Sequence, residues 1–146
     1  MKIRLLALLL LGSAACVTPI IPPSMPAVDD YAREYNNDVR WGRWQEAAAQ
    51  VEPERRKAFL AMFDDSDRPY RFTEVEVLNS KPLTEDGTEM ELLVSLEFYR
   101  MPSVKERKVR QTQVWRWDVL QEKWLVTPDF TSLREDVSSG GERQLD

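Results

Sequence analysis

The chain of 146 residues contains no histidine and a single cysteine, Cys16. The lack of histidine excludes Ser-His-Asp and Cys-His nucleophile systems and every metal site with a histidine ligand. One cysteine cannot form an internal disulfide or a cysteine-ligated zinc or iron–sulfur centre. The five glycines are scattered, so no glycine-rich phosphate-binding loop is present. We therefore expect no metal and no cofactor.

The amino terminus has the pattern of an export signal. Lys2 and Arg4 precede an apolar run at residues 5–11, and small residues then lead to Cys16. This order is typical of a secretory signal, and the run is too short to span a bilayer. Because the small residues end on the sole cysteine, the segment resembles the lipobox of bacterial lipoproteins, although Ser13 replaces the usual leucine. The alternative is an ordinary signal peptide with a chance cysteine.

The lipobox resemblance implies cleavage after residue 15 and acylation of Cys16 with fatty acids such as palmitate. Val17 follows the cysteine in place of aspartate, which resembles the signal for sorting to the outer membrane. Each buried methylene of an acyl chain contributes about 0.8 kcal/mol to membrane binding. We therefore expect a lipid-anchored protein of the bacterial outer membrane, on its periplasmic face.

Removal of residues 1–15 also removes Lys2 and Arg4, so the formal charge changes from -5 to -7. Nucleic-acid recognition depends on neutralising phosphates, so this acidic chain is not expected to bind nucleic acid. Residues 16–28 contain four of the nine prolines and predict an extended tether of about 3 Å per residue. A single domain is expected at residues 29–133, followed by a disordered polar tail at residues 134–146.

The first part of this domain has the spacing of three short amphipathic helices. Asp29 and Asp30 are expected to cap the first helix, which Gly42 interrupts. A second helix is expected at residues 43–51, and Pro53 suits the first turn of a third.

The remainder alternates as strands do, with three turns. The turns are expected at Asp86 and Gly87, at residues 101–104 and at residues 120–121. The predicted cross-strand neighbours are Leu83 with Met90, Val77 with Leu96, Val75 with Phe98, Phe98 with Arg107, Leu96 with Val109, Met90 with Trp115, Glu97 with Lys108, Glu89 with Arg116, Trp117 with Trp124, Trp115 with Val126, and Asp118 with Lys123.

These registers place the apolar residues on one face of the sheet. The predicted inner face contains Val75, Val77, Met90, Leu92, Val94, Leu96, Phe98, Val109, Trp115, Trp117, Trp124 and Val126. A slip of one residue in any hairpin would divide this set between the two faces. The pattern predicts an α+β fold, with N-terminal helices packed on a curved four-stranded antiparallel meander.

Residues 35–48 resemble the opening helix, glycine and second helix of the nuclear-transport-factor-two-like superfamily, also called cystatin-like α+β barrels. Residues 114–117 and 123–126 are similar to its closing strands. The resemblance implies a cone-shaped cavity between the sheet and the helices. The superfamily includes isomerases, cyclases, dehydratases, transport factors and non-enzymatic domains, so it leaves the function open.

Gln111 and Gln113 conflict with the apolar pattern, because the register points both inward. They are candidate polar groups of an apolar ligand pocket, together with Trp115, Trp117 and Tyr35. The alternative is that the helices do not cover this part of the sheet and the two glutamines contact water. The tryptophans, Trp41 included, are expected in the core, with a stacking site as the alternative.

A steroid-isomerase mechanism requires an inward carboxylate base and a tyrosine or protonated acid as donor. The register turns the strand acids outward, so no catalytic residue is assigned; these acids are Glu74, Glu76, Glu89, Glu91 and Glu97. The leading expectation is a non-catalytic accessory or binding domain for an envelope protein or a small apolar ligand. The alternatives are a small-molecule-binding or isomerase-like cavity protein, and a structural envelope component that forms a homodimer through its sheet.

Overall fold

The computed structural model describes residues 25–133. The helices are α1 (Val28–Arg40), α2 (Trp44–Gln50) and α3 (Arg56–Phe63), with a 3₁₀ turn at Pro53–Arg55. The strands are β1 (Tyr70–Pro82), β2 (Glu89–Arg100), β3 (Arg107–Asp118) and β4 (Lys123–Pro128). All four strands form one open antiparallel sheet in the order β1-β2-β3-β4. The predicted α+β fold, with helices N-terminal to a four-stranded meander, is confirmed at this level.

Several predictions concern residues outside this range. The signal peptide (residues 1–15), Cys16, the tether up to residue 24 and the tail (residues 134–146) all lie outside the described residues. Within residues 25–133, no helix is long and apolar enough to cross a membrane.

The start of α1 differs from the prediction. The cap position is Ala27, whose side chain accepts no hydrogen bond, so the assignment of Asp29 and Asp30 as caps is wrong. Both carboxylates lie in the first helical turn instead, where they interact favourably with the positive end of the helix dipole. Gly42 separates α1 from α2 with a φ of 67°, a conformation that glycine adopts without steric strain.

The predicted registers of the second and third hairpins are confirmed. Met90 lies opposite Trp115 on β2 and β3, and Trp117 lies opposite Trp124 on β3 and β4. On the outer face, Lys108 Nζ lies 2.6 Å from Glu97 Oε1. This is the attractive pair that the register predicts.

The predicted register of β1 against β2 is wrong. Val75 lies opposite Leu96 and Val77 lies opposite Val94, each two positions away from the expected partner. One position of this error arises at the turn, because Met90 lies opposite Pro82 and not Leu83, and the other arises at Leu78, which is an extra residue in β1. A second extra residue, Thr73, shifts the register again beyond Val75. Such β-bulges depend on local backbone geometry, and the alternation of side chains gives little sign of them.

The first hairpin turn is also longer than the predicted two residues. Gly87 N donates to Thr84 O at 3.1 Å, and Leu83 N donates to Glu89 O at 2.8 Å. Glycine is still required in this turn, because Gly87 has a φ of 71°.

The inner face of the sheet carries the core, as predicted. Its members on β2, β3 and β4 are buried or partly buried, and they pack against Tyr35, Val39 and Phe59 from the helices. Val77 is the exception, because its side chain is 41% exposed. The even register error keeps Val77 on the inner face, but that part of β1 extends past the cover of the helices.

The two edges of the sheet differ. Val51 forms a parallel bridge with Val126, and Glu52 N donates to Val126 O at 3.1 Å, so the chain after α2 covers the β4 edge. The β1 edge has two bulges and exposed charged residues, among them Glu74 and Glu76. Bulges and charges are the features by which proteins prevent pairing at a free edge.

Candidate functional site

Three amide side chains form a cluster between α1 and β3. Asn36, Gln111 and Gln113 are only 5%, 2% and 0% exposed. Gln113 Nε2 donates to Asn36 Oδ1 at 2.7 Å and to Gln111 Oε1 at 3.0 Å. Gln113 Oε1 accepts from Trp115 Nε1 at 3.2 Å and from Asn36 Nδ2 at 3.5 Å. The amide group of Gln113 is therefore the centre of the cluster.

The burial of this cluster shows that one of the two interpretations of the inward glutamines, contact with water, is wrong. Gln111 and Gln113 do not contact water beyond the helices, because both are almost fully buried. Burying an amide is costly unless it forms hydrogen bonds. Gln113 satisfies this condition by bonding to α1 and to its own strand, so the cluster fixes α1 against β3.

The aromatic members of the predicted pocket lie in packed positions. Tyr35 and Trp115 are both fully buried, and their rings meet edge to face with centroids 5.7 Å apart. Phe59 from α3 lies 6.3 Å from the Tyr35 ring. Trp117 is partly buried against Trp124, with ring centroids 5.8 Å apart. Rings occupy the space that a ligand would need at these residues.

Two buried donors of the predicted pocket residues have no hydrogen-bond partner within the described residues 25–133. They are the hydroxyl of Tyr35 and the Nε2 amide nitrogen of Gln111. Burial raises the pKa of Tyr35 well above its ordinary value, so the phenol stays neutral. An unpaired buried donor reduces stability, and it gains free energy when it meets an acceptor.

A surface groove lies beside this cluster, between α1 and the first two strands. This α1–β1 groove has a volume of about 470 Å³. Its lining residues are Asp29, Ala32, Arg33, Asn36, Asn37, Arg40, Val75, Glu76, Val77 and Leu92. The floor is apolar and the rim is polar. Asn36 belongs to both the groove and the amide cluster, so the groove reaches the predicted pocket residues only through this amide.

The rim of the α1–β1 groove carries charges of both signs. Arg33 forms an ion pair with Asp30 on the exposed side of α1. The Arg40 guanidinium lies over the ring of Trp41, 5.6 Å from its centroid. Trp41 is 66% exposed, so the prediction that it belongs to the core is wrong. The groove has the size of a small-molecule site, with an apolar floor and a few polar groups.

The buried carboxylates have basic partners. Asp38 Oδ1 accepts from Arg43 Nε at 2.8 Å, and Glu52 Oε1 accepts from Arg116 Nη1 at 2.8 Å. Neither residue lines the α1–β1 groove. A general base must reach the proton that it removes, and these two carboxylates instead hold elements of the fold together. Among the described residues, no group of three or more His, Cys, Asp or Glu residues is placed to hold a metal ion.

Asn36 is a residue of the candidate site that was not predicted from the sequence. The helical spacing could have identified Asn36 as a buried polar residue, because Ala32, Asn36 and Val39 follow the i, i+4, i+7 pattern of one helix face. A polar residue within a buried stripe requires a polar partner, and Gln113 is the partner that the strand pattern provides.

Comparison of the chain with protein-family models, with curated proteins and with solved structures gives no match. The functional assignment therefore depends on the residues and geometry of this chain.

Proposed function

We propose that the chain is a lipoprotein anchored in the bacterial outer membrane, with a periplasm-facing domain of the cystatin-like type. The domain acts as a non-catalytic binding or accessory module for an envelope partner or ligand. One observation carries the proposal: the sole cysteine, Cys16, ends a basic, apolar and small-residue segment and precedes a proline-rich stretch.

The described start of the domain supports a tethered arrangement. Trp124 Nε1 donates to Pro26 O at 2.9 Å, and Met25 packs against the core. The chain is thus attached to the domain only nine residues after Cys16. The order of three helices and a four-stranded meander supports the cystatin-like assignment.

The paired state of the buried carboxylates supports a non-catalytic role. Asp38 and Glu52 are used in ion pairs, and the register turns Glu89 and Glu97 toward basic residues of β3. These ion pairs also weaken one alternative, namely a homodimer that forms through the outer face of the sheet. Charges that are already paired within one chain gain little from a second copy.

Acylation can be tested by growing cells with radiolabelled palmitate. We expect the wild-type chain to carry label in the outer-membrane fraction, and the Cys16→Ser variant to lose all label because no thiol remains to accept the lipid. Ser13→Ala is the matched control, since it changes the same segment and keeps the thiol. Equal labelling of the wild-type chain and Cys16→Ser would contradict the proposal.

A small-molecule-binding function is the second candidate, favoured by the α1–β1 groove and its inner amide, Asn36. The apolar floor and a rim with charges of both signs suit an amphipathic molecule. This candidate does not exclude a membrane anchor.

The groove can be tested with the unacylated chain (residues 17–146), which retains every described residue. We expect a dansyl-labelled fatty acid to bind, and Val77→Trp to weaken binding at least about tenfold because the indole fills the groove. Leu83→Trp is the control, since Leu83 has a similar exposure of 45% and does not line the groove. Equal affinity in both variants would rule out the groove as the site.

A further inference from the structure

Two turns of the sheet lie at the same end of the domain. In an antiparallel meander, the β1–β2 and β3–β4 turns share one end, and the β2–β3 turn lies at the other. Trp117 N donates to Thr88 O at 2.9 Å, which joins β3 to the first turn. We call residues 83–88 and 119–122 the turn end.

The turn end exposes apolar side chains at its tip. Leu120 is 95% exposed and Val119 is 73% exposed, and Leu83 on the neighbouring turn is 45% exposed. Single exposed apolar residues are common on protein surfaces. Two adjacent ones at the tip of a turn are less expected, because turns favour Gly, Pro, Asn, Asp and Ser.

The backbone of this turn is fixed by one carboxylate. Asp118 Oδ1 accepts from Leu120 N at 2.9 Å and from Gln121 N at 3.0 Å, and Oδ2 accepts from Gln121 Nε2 at 2.8 Å. These bonds lower the pKa of Asp118, the Gln121 backbone bond most, so the carboxylate stays charged and bonded. The turn therefore presents Val119 and Leu120 in a defined position.

The chain also reaches the domain at the turn end. Pro26 O accepts from Trp124 at the start of β4. A Cβ atom built on Gly87 in the first turn would lie 4.0 Å from Met25 Cε. Eight residues, 17–24, separate Met25 from Cys16. At about 3 Å per residue, they span at most about 25 Å.

We propose that the turn end faces the bilayer and that Leu120, together with Val119, inserts into the phospholipid interface as a second membrane contact. The inference rests on the proposed lipid anchor. The short tether keeps the turn end near the membrane, and tethering of this kind corresponds to effective concentrations in the millimolar range. Burial of one leucine side chain then favours the inserted state by about tenfold to a hundredfold.

The charge of the turn end determines which lipid headgroups it can approach. This end and its border carry four acidic residues and, opposite Asp118, one basic residue, so the charge is net acidic; they are Glu85, Asp86, Asp118, Glu122 and Lys123. Anionic lipids attract basic segments and repel acidic ones. The contact is therefore apolar and suits a zwitterionic phospholipid surface.

The test uses the full acylated chain in phosphatidylcholine vesicles. Acylation leaves no free thiol at Cys16, so Leu120→Cys offers a single site for an environment-sensitive nitrobenzoxadiazole probe. We expect its emission to shift to the blue and to be quenched at least about threefold by brominated lipids, as burial of an apolar tip implies. Val104→Cys is the matched control: Val104 is 78% exposed in the β2–β3 turn at the opposite end, and we expect no quenching there.

The other outcomes decide against the insertion alone or against both proposals. If mass spectrometry finds the acyl group and the probe at position 120 behaves as in water, the insertion is overturned and the anchor stands. If the acyl group is missing, the proposed function fails, and the insertion that rests on it fails too. Equal quenching at positions 104 and 120, a blue shift without quenching by brominated lipid, or stronger quenching on adding anionic lipid would each overturn the insertion.

Discussion

Replacing Gln113 with leucine is expected to lower the free energy of unfolding by about 3–5 kcal/mol. The two side chains have similar volumes, so the loss comes from hydrogen bonds and not from a cavity. Gln113 bonds to Asn36, Gln111 and Trp115, and its removal leaves their polar groups buried without partners. Each unsatisfied buried group costs about 1–3 kcal/mol.

Urea unfolding of the unacylated chain, followed by circular dichroism, measures this loss. Thr112→Ala is the control, because Thr112 is the preceding residue on β3 and faces away from the cluster. We expect it to change the free energy of unfolding by less than about 1 kcal/mol. A Gln113→Leu variant as stable as Thr112→Ala would mean that the cluster does not hold α1 against the sheet.

The energetic contribution of the Gln113–Asn36 pair can be measured separately from that of the rest of the cluster. Removing both partners of a buried hydrogen bond costs less than the two single losses combined, because no unpaired group remains. We therefore compare the double variant, with leucine at positions 36 and 113, with the two single variants. We expect a coupling energy of about 1–3 kcal/mol. Additive losses would indicate that the two amides contribute independently.

Local turn signals predicted the parts of the sheet that have no irregularities. Both hairpins from β2 to β4 have the expected register, as at Trp117 and Trp124, because each turn fixes its pairs by simple counting. In the β1–β2 hairpin, counting from the turn fails twice, because the longer turn places Met90 opposite Pro82 and the bulge at Leu78 adds a second shift. The apolar face remained correct at Val75 and Val77 because the two shifts add up to two positions there.

The candidate site could be predicted only in part, for a different reason. Strand alternation identified Gln111 and Gln113 as inward polar residues, which is a local property. Their partner, Asn36, lies 77 positions away from Gln113 along the chain, and only the packing of α1 on β3 brings them together. The α1–β1 groove also depends on how α1 packs on the sheet, because it forms where α1 leaves Val77 uncovered.

Trp124→Ala is expected to lower the free energy of unfolding by about 3–5 kcal/mol, since it removes a large buried side chain. Trp124 is 1% exposed and packs against Trp117. Trp41→Ala is the control: Trp41 is 66% exposed and contacts Arg40 only at the surface, so its loss is expected to cost less than about 1 kcal/mol. Urea unfolding of the unacylated chain measures both. Similar losses in the two variants would contradict the assignment of Trp124 to the core and Trp41 to the surface.

Trp124→Phe separates the packing of this residue from its bond to the incoming chain. Phenylalanine keeps most of the apolar contact but cannot donate to Pro26 O, so we expect a smaller loss of about 1–2 kcal/mol. The Pro26 bond holds the chain at the turn end, beside Leu120 and Val119. If it directs the domain toward the bilayer, Trp124→Phe should also reduce lipid quenching of the probe at position 120. Unchanged quenching would mean that the exposed turn alone sets the orientation, because the acyl anchor remains in both proteins.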